Sequence, residues 1–204
     1  MIGIVNYGMG NLGSIHNMIK KLGYDSKIID NPDEIEGIDK LILPGVGHFG
    51  MAMDKLTSKG WIKPLNEFAI LQKKPIMGIC LGMQLMTKHS EEGDVDGLGW
   101  VDAEVFRFNF LNKDLKIPHM GWNEVHVDAS SQLFEDFDFF EEPRFYHVHS
   151  YFVKLKDQKM EIAKTFYGFD FTSAFQKDNI YGVQFHPEKS HKFGLKLFSN
   201  FIKL

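Results

Sequence analysis

Four short apolar runs punctuate the first eighty residues: "IGIVNY", "SKIID", "KLILPG" and "PIMGIC". Between and after them lie stretches with apolar residues at helical spacing, "SIHNMIKKLG", "WIKPLNEFAILQKK" and "LGMQLMTKH". A strand that reads as an unbroken apolar run has both faces buried, and strands separated by helices are joined by crossovers, so this alternation predicts a parallel sheet covered on both sides. Gly23 and Gly60 stand where helices should end. From Gly97 onward the texture changes to "GWVDAEVFRF", "WNEVHV", "RFYHVHSYFVKL", "MEIAKTFYG", "FTSAFQK" and "NIYGVQFH". These β-branched and aromatic runs predict antiparallel strands folded back onto the same core, and "HKFGLKLFSNFIKL" predicts a closing amphipathic helix. No repeat or linker divides the halves. The expectation is one layered α/β domain over residues 1–204, with a central mostly parallel sheet flanked by helices and antiparallel strands in the second half.

The bulk properties narrow the function classes. A formal net charge of -4 provides no basic field for a nucleic-acid partner. No apolar run reaches the roughly 18 residues of a membrane span, and "MIGIVNYG" enters a strand pattern at residue 2, which leaves no leader and sets a cytoplasmic expectation. The single cysteine, Cys80, forms neither an intrachain disulfide nor a multi-thiolate metal site, so its role is packing or reactivity. Nineteen phenylalanines are the compositional oddity.

Two glycine loops invite functional readings. Gly8, Gly10 and Gly13 in "YGMGNLG" spell G-x-G-x-x-G between a strand and a helix, with Asp30 ending the next strand where a ribose-binding acid would sit. That is the case for a nicotinamide-dependent oxidoreductase; the alternative is a structural turn or contact surface. The second loop, "LPGVGHFG", places Gly45, Val46 and Gly47 where backbone N–H groups can face an oxyanion.

Gly78-Ile79-Cys80-Leu81-Gly82 has the form of a nucleophile elbow, with a strand before it and a helix after it. Flanking glycines let the backbones of strand and helix approach closely, and the Leu81 N–H would face an oxyanion formed beside Cys80. The opposing reading is a buried cysteine acting as a small hydrophobe. A thiol nucleophile needs a base and a group to orient it. "VQFHPEKS" offers His186 and Glu188, two apart on one face of an extended chain, with Pro187 expected to forbid helix and stiffen the pair. His147 and His149 in "FYHVHSY" share a strand face, but no third ligand is evident nearby, so packing or support is preferred to a metal site.

"GICLGMQL" and "GVQFHPEKS", with "LPGVG", "IPHMGWN" and "HSY", closely resemble the class I glutamine amidotransferases, and among them the glutaminase subunits of imidazole glycerol phosphate synthase. The resemblance spans essentially the whole chain and implies the class I glutamine amidotransferase fold. It implies that Cys80 attacks the glutamine side-chain amide, that His186 is the acid and base, and that Glu188 orients it. Leu81 and the Val46–Gly47 segment would stabilise the oxyanion, and Gly47, Gln84, Glu92, Ser150 and Tyr151 would hold glutamine, Glu92 pairing with its α-ammonium. Asn11, Trp122, Tyr146 and Lys189 match positions that meet a cyclase partner of (β/α)8-barrel type in a heterodimer, through which ammonia passes to make imidazole glycerol phosphate and AICAR in histidine biosynthesis. No cofactor or metal is implied. Gly13, where arginine is common, and "GLGWVDAEV" depart from the histidine-pathway wording and resemble a paralogous branch that supplies ammonia for amidating a surface-polysaccharide sugar.

Overall fold

The computed structural model describes residues 1–111 and 115–204. Its first half follows the alternation of the sequence: β1 (Ile2–Val5), α1 (Leu12–Lys21), β2 (Ser26–Ile29), β3 (Lys40–Leu43), α2 (Phe49–Ser58), α3 (Ile62–Asn66), β4 (Ile76–Ile79) and α4 (Leu81–Leu85). The second half runs β5 (His89–Ser90), β6 (Val95–Asp96), β7 (Ala103–Arg107), β8 (His119–Glu124), β9 (His126–Val127), β10 (Arg144–His149), β11 (Tyr151–Leu155), β12 (Glu161–Phe166), β13 (Asp170–Lys177) and β14 (Ile180–Val183). The closing helix is α5 (His191–Lys203), and Gly23 and Gly60 take the left-handed conformation (φ 82° and 75°) just past α1 and α2.

The strand order is β2-β1-β3-β4-β14-β13-β11-β7-β5-β6, with β12 branching from β13 and β9 from β12. From β2 to β14 the neighbours are parallel; β14-β13, β13-β11 and β11-β7 are antiparallel. This is the expected α/β domain. Alternation along each strand divides the core in two, as the pleat dictates. Leu41 and Leu43 pack with Phe49, Leu56, Trp61 and Phe68 on one face, while Ile42 packs with Ile15, Ile19, Leu197, Phe198 and Phe201 on the other. Each such side chain contributes about 1.5–3 kcal/mol by leaving water. The phenylalanine excess is concentrated where the antiparallel strands fold back: Phe108 lies within 6 Å of Phe110, Phe152, Phe169 and Phe171. β8 and β10 form a separate antiparallel ribbon, which projects Met120 and Trp122 to the exterior.

Two helices depart from the sequence expectation. α4 ends at Leu85, because Thr87 caps it with N–H and hydroxyl bonds to the Gln84 carbonyl (3.0 and 2.8 Å) and Lys88 N–H then joins Ala103. The expected "WIKPLNEFAILQKK" helix is α3 followed by a π-helical segment over Glu67–Leu71.

Candidate active site

Cys80 stands at the turn from β4 into α4 with φ 53° and ψ -109°, a left-handed conformation that costs a non-glycine residue about 1–3 kcal/mol. Its neighbours explain why the turn closes. A Cβ on Gly78 would sit 2.6 Å from Gly82 backbone atoms, and one on Gly82 would sit 1.8 Å from the Leu43 carbonyl oxygen. Only glycines let β3, β4 and α4 meet. Gln84 N–H makes the first i→i−4 bond, to Cys80 O, so the N–H groups of Leu81, Gly82 and Met83 have no partner within the helix.

β14 lies parallel to β4 with Val183 opposite Ile79, and Cys80 N–H donates to Val183 O at 2.8 Å. The next residues of that strand are therefore delivered beside the cysteine. His186 Nδ1 and Glu188 Oε1 are 2.8 Å apart, with side chains 1% and 2% exposed. Pro187 does not exclude helix, contrary to expectation: it opens a 3-10 turn over Pro187–Lys189, because the first turn needs no N–H and suits the fixed φ of proline. Burial alone would lower the His186 pKa, yet the charge of Cys80 beside it, with the hydrogen bond and charge of Glu188, raise it to about 10. His186 Nε2, the nitrogen turned away from Glu188, closes no hydrogen bond among the described residues and is left for proton exchange.

A cavity of about 290 Å³ opens on Cys80, small for a ligand site, where roughly 300–1,000 Å³ is typical. Val46, Gly47, Leu81, Gln84, Glu92, Ser150 and Tyr151 all line it. Gly47 has φ 111°, a conformation that suits glycine. One oxygen of Glu92 already accepts the Phe49 N–H at 2.8 Å, at the start of α2, so one oxygen remains for a cationic group. Gln84 spends both N–H groups internally, on Tyr151 O (3.2 Å) and Gln184 Oε1 (3.0 Å), which leaves its own oxygen as the free group.

The residues matched to a partner surface separate into two groups. Trp122 and Tyr146 are opposite one another in the β8–β10 ribbon, Trp122 stacks on His191 (5.4 Å between centroids) and Lys189 Nζ lies 5.4 Å from the Tyr146 ring centre. Asn11 has a local duty: its side chain accepts the Ser14 N–H at 3.4 Å and caps α1. The G-x-G-x-x-G reading loses its third glycine, which in a dinucleotide site is needed for close packing of helix and strand. Gly13 lies exposed in α1, and a Cβ there would meet no atom of the described residues within 4 Å.

Three residues escaped the sequence reading. Gln184 is fully buried and donates toward Cys80 Sγ at 3.7 Å. Tyr7 is buried beneath the second glycine loop and donates to Pro44 O at 2.8 Å; burial first, then the charge of Cys80, raise its pKa. His119 corrects the view that His147 and His149 have no third neighbour: nitrogens of all three come within 4.8 Å of one another, with β8 and β10 pairing His119 opposite His149. The hydrogen-bond directions oppose a metal there. Asn123 Nδ2 donates to Phe166 O (2.9 Å) and so must also donate to His119 Nε2 (3.1 Å). The His119 proton is then on Nδ1, aimed at His149 Nε2 (3.2 Å), while His149 Nδ1 donates to Tyr151 O (2.8 Å). Signals for these residues existed only as spacing: Gln184 two before His186, and His119 within "PHMGWN".

A sequence profile described as "Glutamine amidotransferase class-I" matches residues 3–204. The imidazole glycerol phosphate synthase subunit HisH 2 of Methanococcus maripaludis is 53% identical over 203 residues, covering 100% of this chain and 99% of the relative. The protein of the same name from Pseudomonas aeruginosa is 45% identical over 204 residues, with 100% of each chain covered. Among solved structures, PurLQS from Thermotoga maritima shares the fold with a TM-score of 0.78 at 18% identity, covering 99% of this chain and 97% of that one.

Proposed function

This chain belongs to the class I glutamine amidotransferase family, and from that premise we propose that it is the glutaminase subunit of an imidazole glycerol phosphate synthase. In this reading Cys80 attacks the side-chain carbonyl carbon of glutamine. The Leu81 N–H and one from the Val46–Gly47 segment stabilise the resulting oxyanion. His186, as imidazolium held by Glu188, protonates the departing nitrogen, and ammonia leaves a γ-glutamyl thioester on Cys80. Neutral His186 then takes a proton from water, whose oxygen attacks the thioester; glutamate departs and the thiol is restored. Glu92 with its free oxygen is the partner for the substrate ammonium, and the Gln84 oxygen, Gly47, Ser150 and Tyr151 complete the glutamine site.

The observation that carries this reading is the parallel register of β4 and β14, which sets the strained Cys80 beside the His186–Glu188 pair. Ammonia passes to a (β/α)8-barrel cyclase docked at the face of Trp122, Tyr146 and Lys189, with Asn11 contributing. Domain limits of 1–204, no cofactor and a cytoplasmic setting belong to the same proposal; no helix among the described residues is long and apolar enough to cross a membrane.

A second reading changes only the acceptor: ammonia would amidate a surface-polysaccharide sugar. Gly13 favours it, since the open space around that position would admit the arginine common in histidine-pathway subunits, and the fold does not demand glycine there. Glutamate release is to be measured for the chain alone, with its cognate barrel subunit, and for Cys80→Ala in that complex. Release should rise strongly with the partner and vanish in the variant. Hydrolysis that persists without Cys80 would refute the nucleophile, and ammonia transfer without imidazole glycerol phosphate formation would select the second acceptor.

A further inference from the structure

We propose that Gln184 is a thiolate donor: its side-chain N–H holds the sulfur of Cys80 as the attacking anion, and the fold fixes that amide in the donating orientation. The inference deepens the glutaminase reading of the same site and rests on Cys80 being its nucleophile.

The orientation follows from one acceptor that cannot reverse. A backbone carbonyl only accepts, so the Gln84 atom 3.2 Å from Tyr151 O is its nitrogen. The second contact of that nitrogen, 3.0 Å to Gln184, must therefore reach the Gln184 oxygen. The remaining end of the Gln184 amide is its nitrogen, and it points at Cys80 Sγ from 3.7 Å. Both glutamines are buried, Gln84 at 4% and Gln184 at 0% exposure, so water does not compete for these bonds. A reversed Gln184 would set oxygen against sulfur and leave the Gln84 N–H facing another N–H. Tyr151 O is itself held by His149 Nδ1 at 2.8 Å, which anchors the chain from the side of the β8–β10 ribbon.

The titratable groups around Cys80 are His186, with Glu188 behind it, and Tyr7, and Glu92, His149 and Tyr151 line the same cavity. None of them touches Gln184 through a hydrogen bond among the described residues, so replacing Gln184 leaves them in place. His186 supplies charge and the proton; Gln184 supplies a neutral donor that does not leave with the ammonia. A hydrogen bond to a charged group is stronger than one between neutral partners, so the donor favours thiolate over thiol.

Cys80 is the sole cysteine, so alkylation by iodoacetamide reports on it alone and needs neither glutamine nor a partner. The rate is to be followed from pH 5 to 10 in the full chain, in Gln184→Met and in Gln184→Glu, with circular dichroism to verify folding. The midpoint of the thiol titration should rise by about one unit or more in Gln184→Met, making labelling near the wild-type midpoint several-fold slower. Gln184→Glu keeps an acceptor for Gln84 but sets negative charge by the sulfur, so its midpoint should rise further. General loosening of the site would change the plateau rate and leave the midpoint in place. A folded variant of either kind whose midpoint overlays the wild type overturns the proposal. Failure of every partner to elicit glutaminase activity would instead count against the functional reading, with the thiol titration still standing.

Discussion

Gly82→Ala and Gly13→Ala place the same methyl group in two helices of this protein, and the structure assigns them opposite effects. On helix propensity alone both should stabilise, by up to about 1 kcal/mol. At Gly82 the new Cβ would lie 1.8 Å from Leu43 O and 2.9 Å from Leu43 C, both backbone atoms of β3. Real Cβ contacts essentially never fall below 3.0 Å, so α4 must withdraw from the sheet by about 1.2 Å or more. Overpacking of a rigid core costs about 1–3 kcal/mol, and here no flexible side chain can yield, so the upper end applies and a net loss of about 2 kcal/mol is expected after the propensity gain. The same shift would carry the Leu81 N–H and Gln84 away from Cys80, and misplacement by about 1 Å costs a reaction on the order of 10²-fold. At Gly13 the Cβ meets no atom of the described residues within 4 Å, and the substitution should stabilise by about 0.5 kcal/mol with unchanged chemistry. Urea denaturation by circular dichroism measures both stabilities, and labelling of Cys80 by a glutamine-analogue electrophile measures the elbow. If Gly82→Ala unfolds within about 0.5 kcal/mol of wild type and labels normally, the close-packing argument for the elbow fails.

Two further outcomes follow from the electrostatics. Glu188→Gln retains a polar neighbour for His186 Nδ1 but removes the negative charge that helps to raise its pKa to about 10. Glutaminase turnover in the partnered enzyme should drop by about 10²-fold or more. The protonated form is lost as pH rises through the folded pKa, so lowering that pKa moves the alkaline limb of the pH profile to lower pH; an unmoved limb would contradict the assignment. In the buried histidine cluster, burial lowers His119 to about 4 and His149 to about 3, and burial with neighbouring histidines lowers His147 well below 6.5. Depressed pKa values mean that stability is complete above the unfolded value and is lost as pH falls toward the folded ones. Each histidine contributes a slope approaching about 1.4 kcal/mol per pH unit below 6.5. His186, raised to about 10, works the other way: its stabilisation grows as pH falls toward 6.5 and is complete below that, so the decline from the cluster is read below pH 6.5. Urea titrations at pH 6, 5.5 and 5 should show this decline, whereas a flat profile over that range would mean that the cluster is already protonated in the fold.

The local features of this protein were legible in its sequence because they arise from neighbours in the chain. Apolar runs divided by helical spacing specified the parallel half, and the G-x-C-x-G turn marked its nucleophile, since glycine need and backbone strain are decided within five residues. The His186–Glu188 pair was also local, although its 3-10 turn, opened by Pro187, differed from the extended chain expected. Other features required strands to be laid side by side. Gln184 reaches Cys80 only because β14 inserts beside β4, more than one hundred residues away in sequence. His119 meets His149 only through the β8–β10 register, and Gly13 proves dispensable only once the surroundings of α1 are known. A sequence can announce which residue is able to react. Which amide holds its sulfur, which way each imidazole carries its proton, and which glycine the packing demands are set by long-range contacts, because hydrogen-bond direction and steric space are properties of the neighbours that folding supplies.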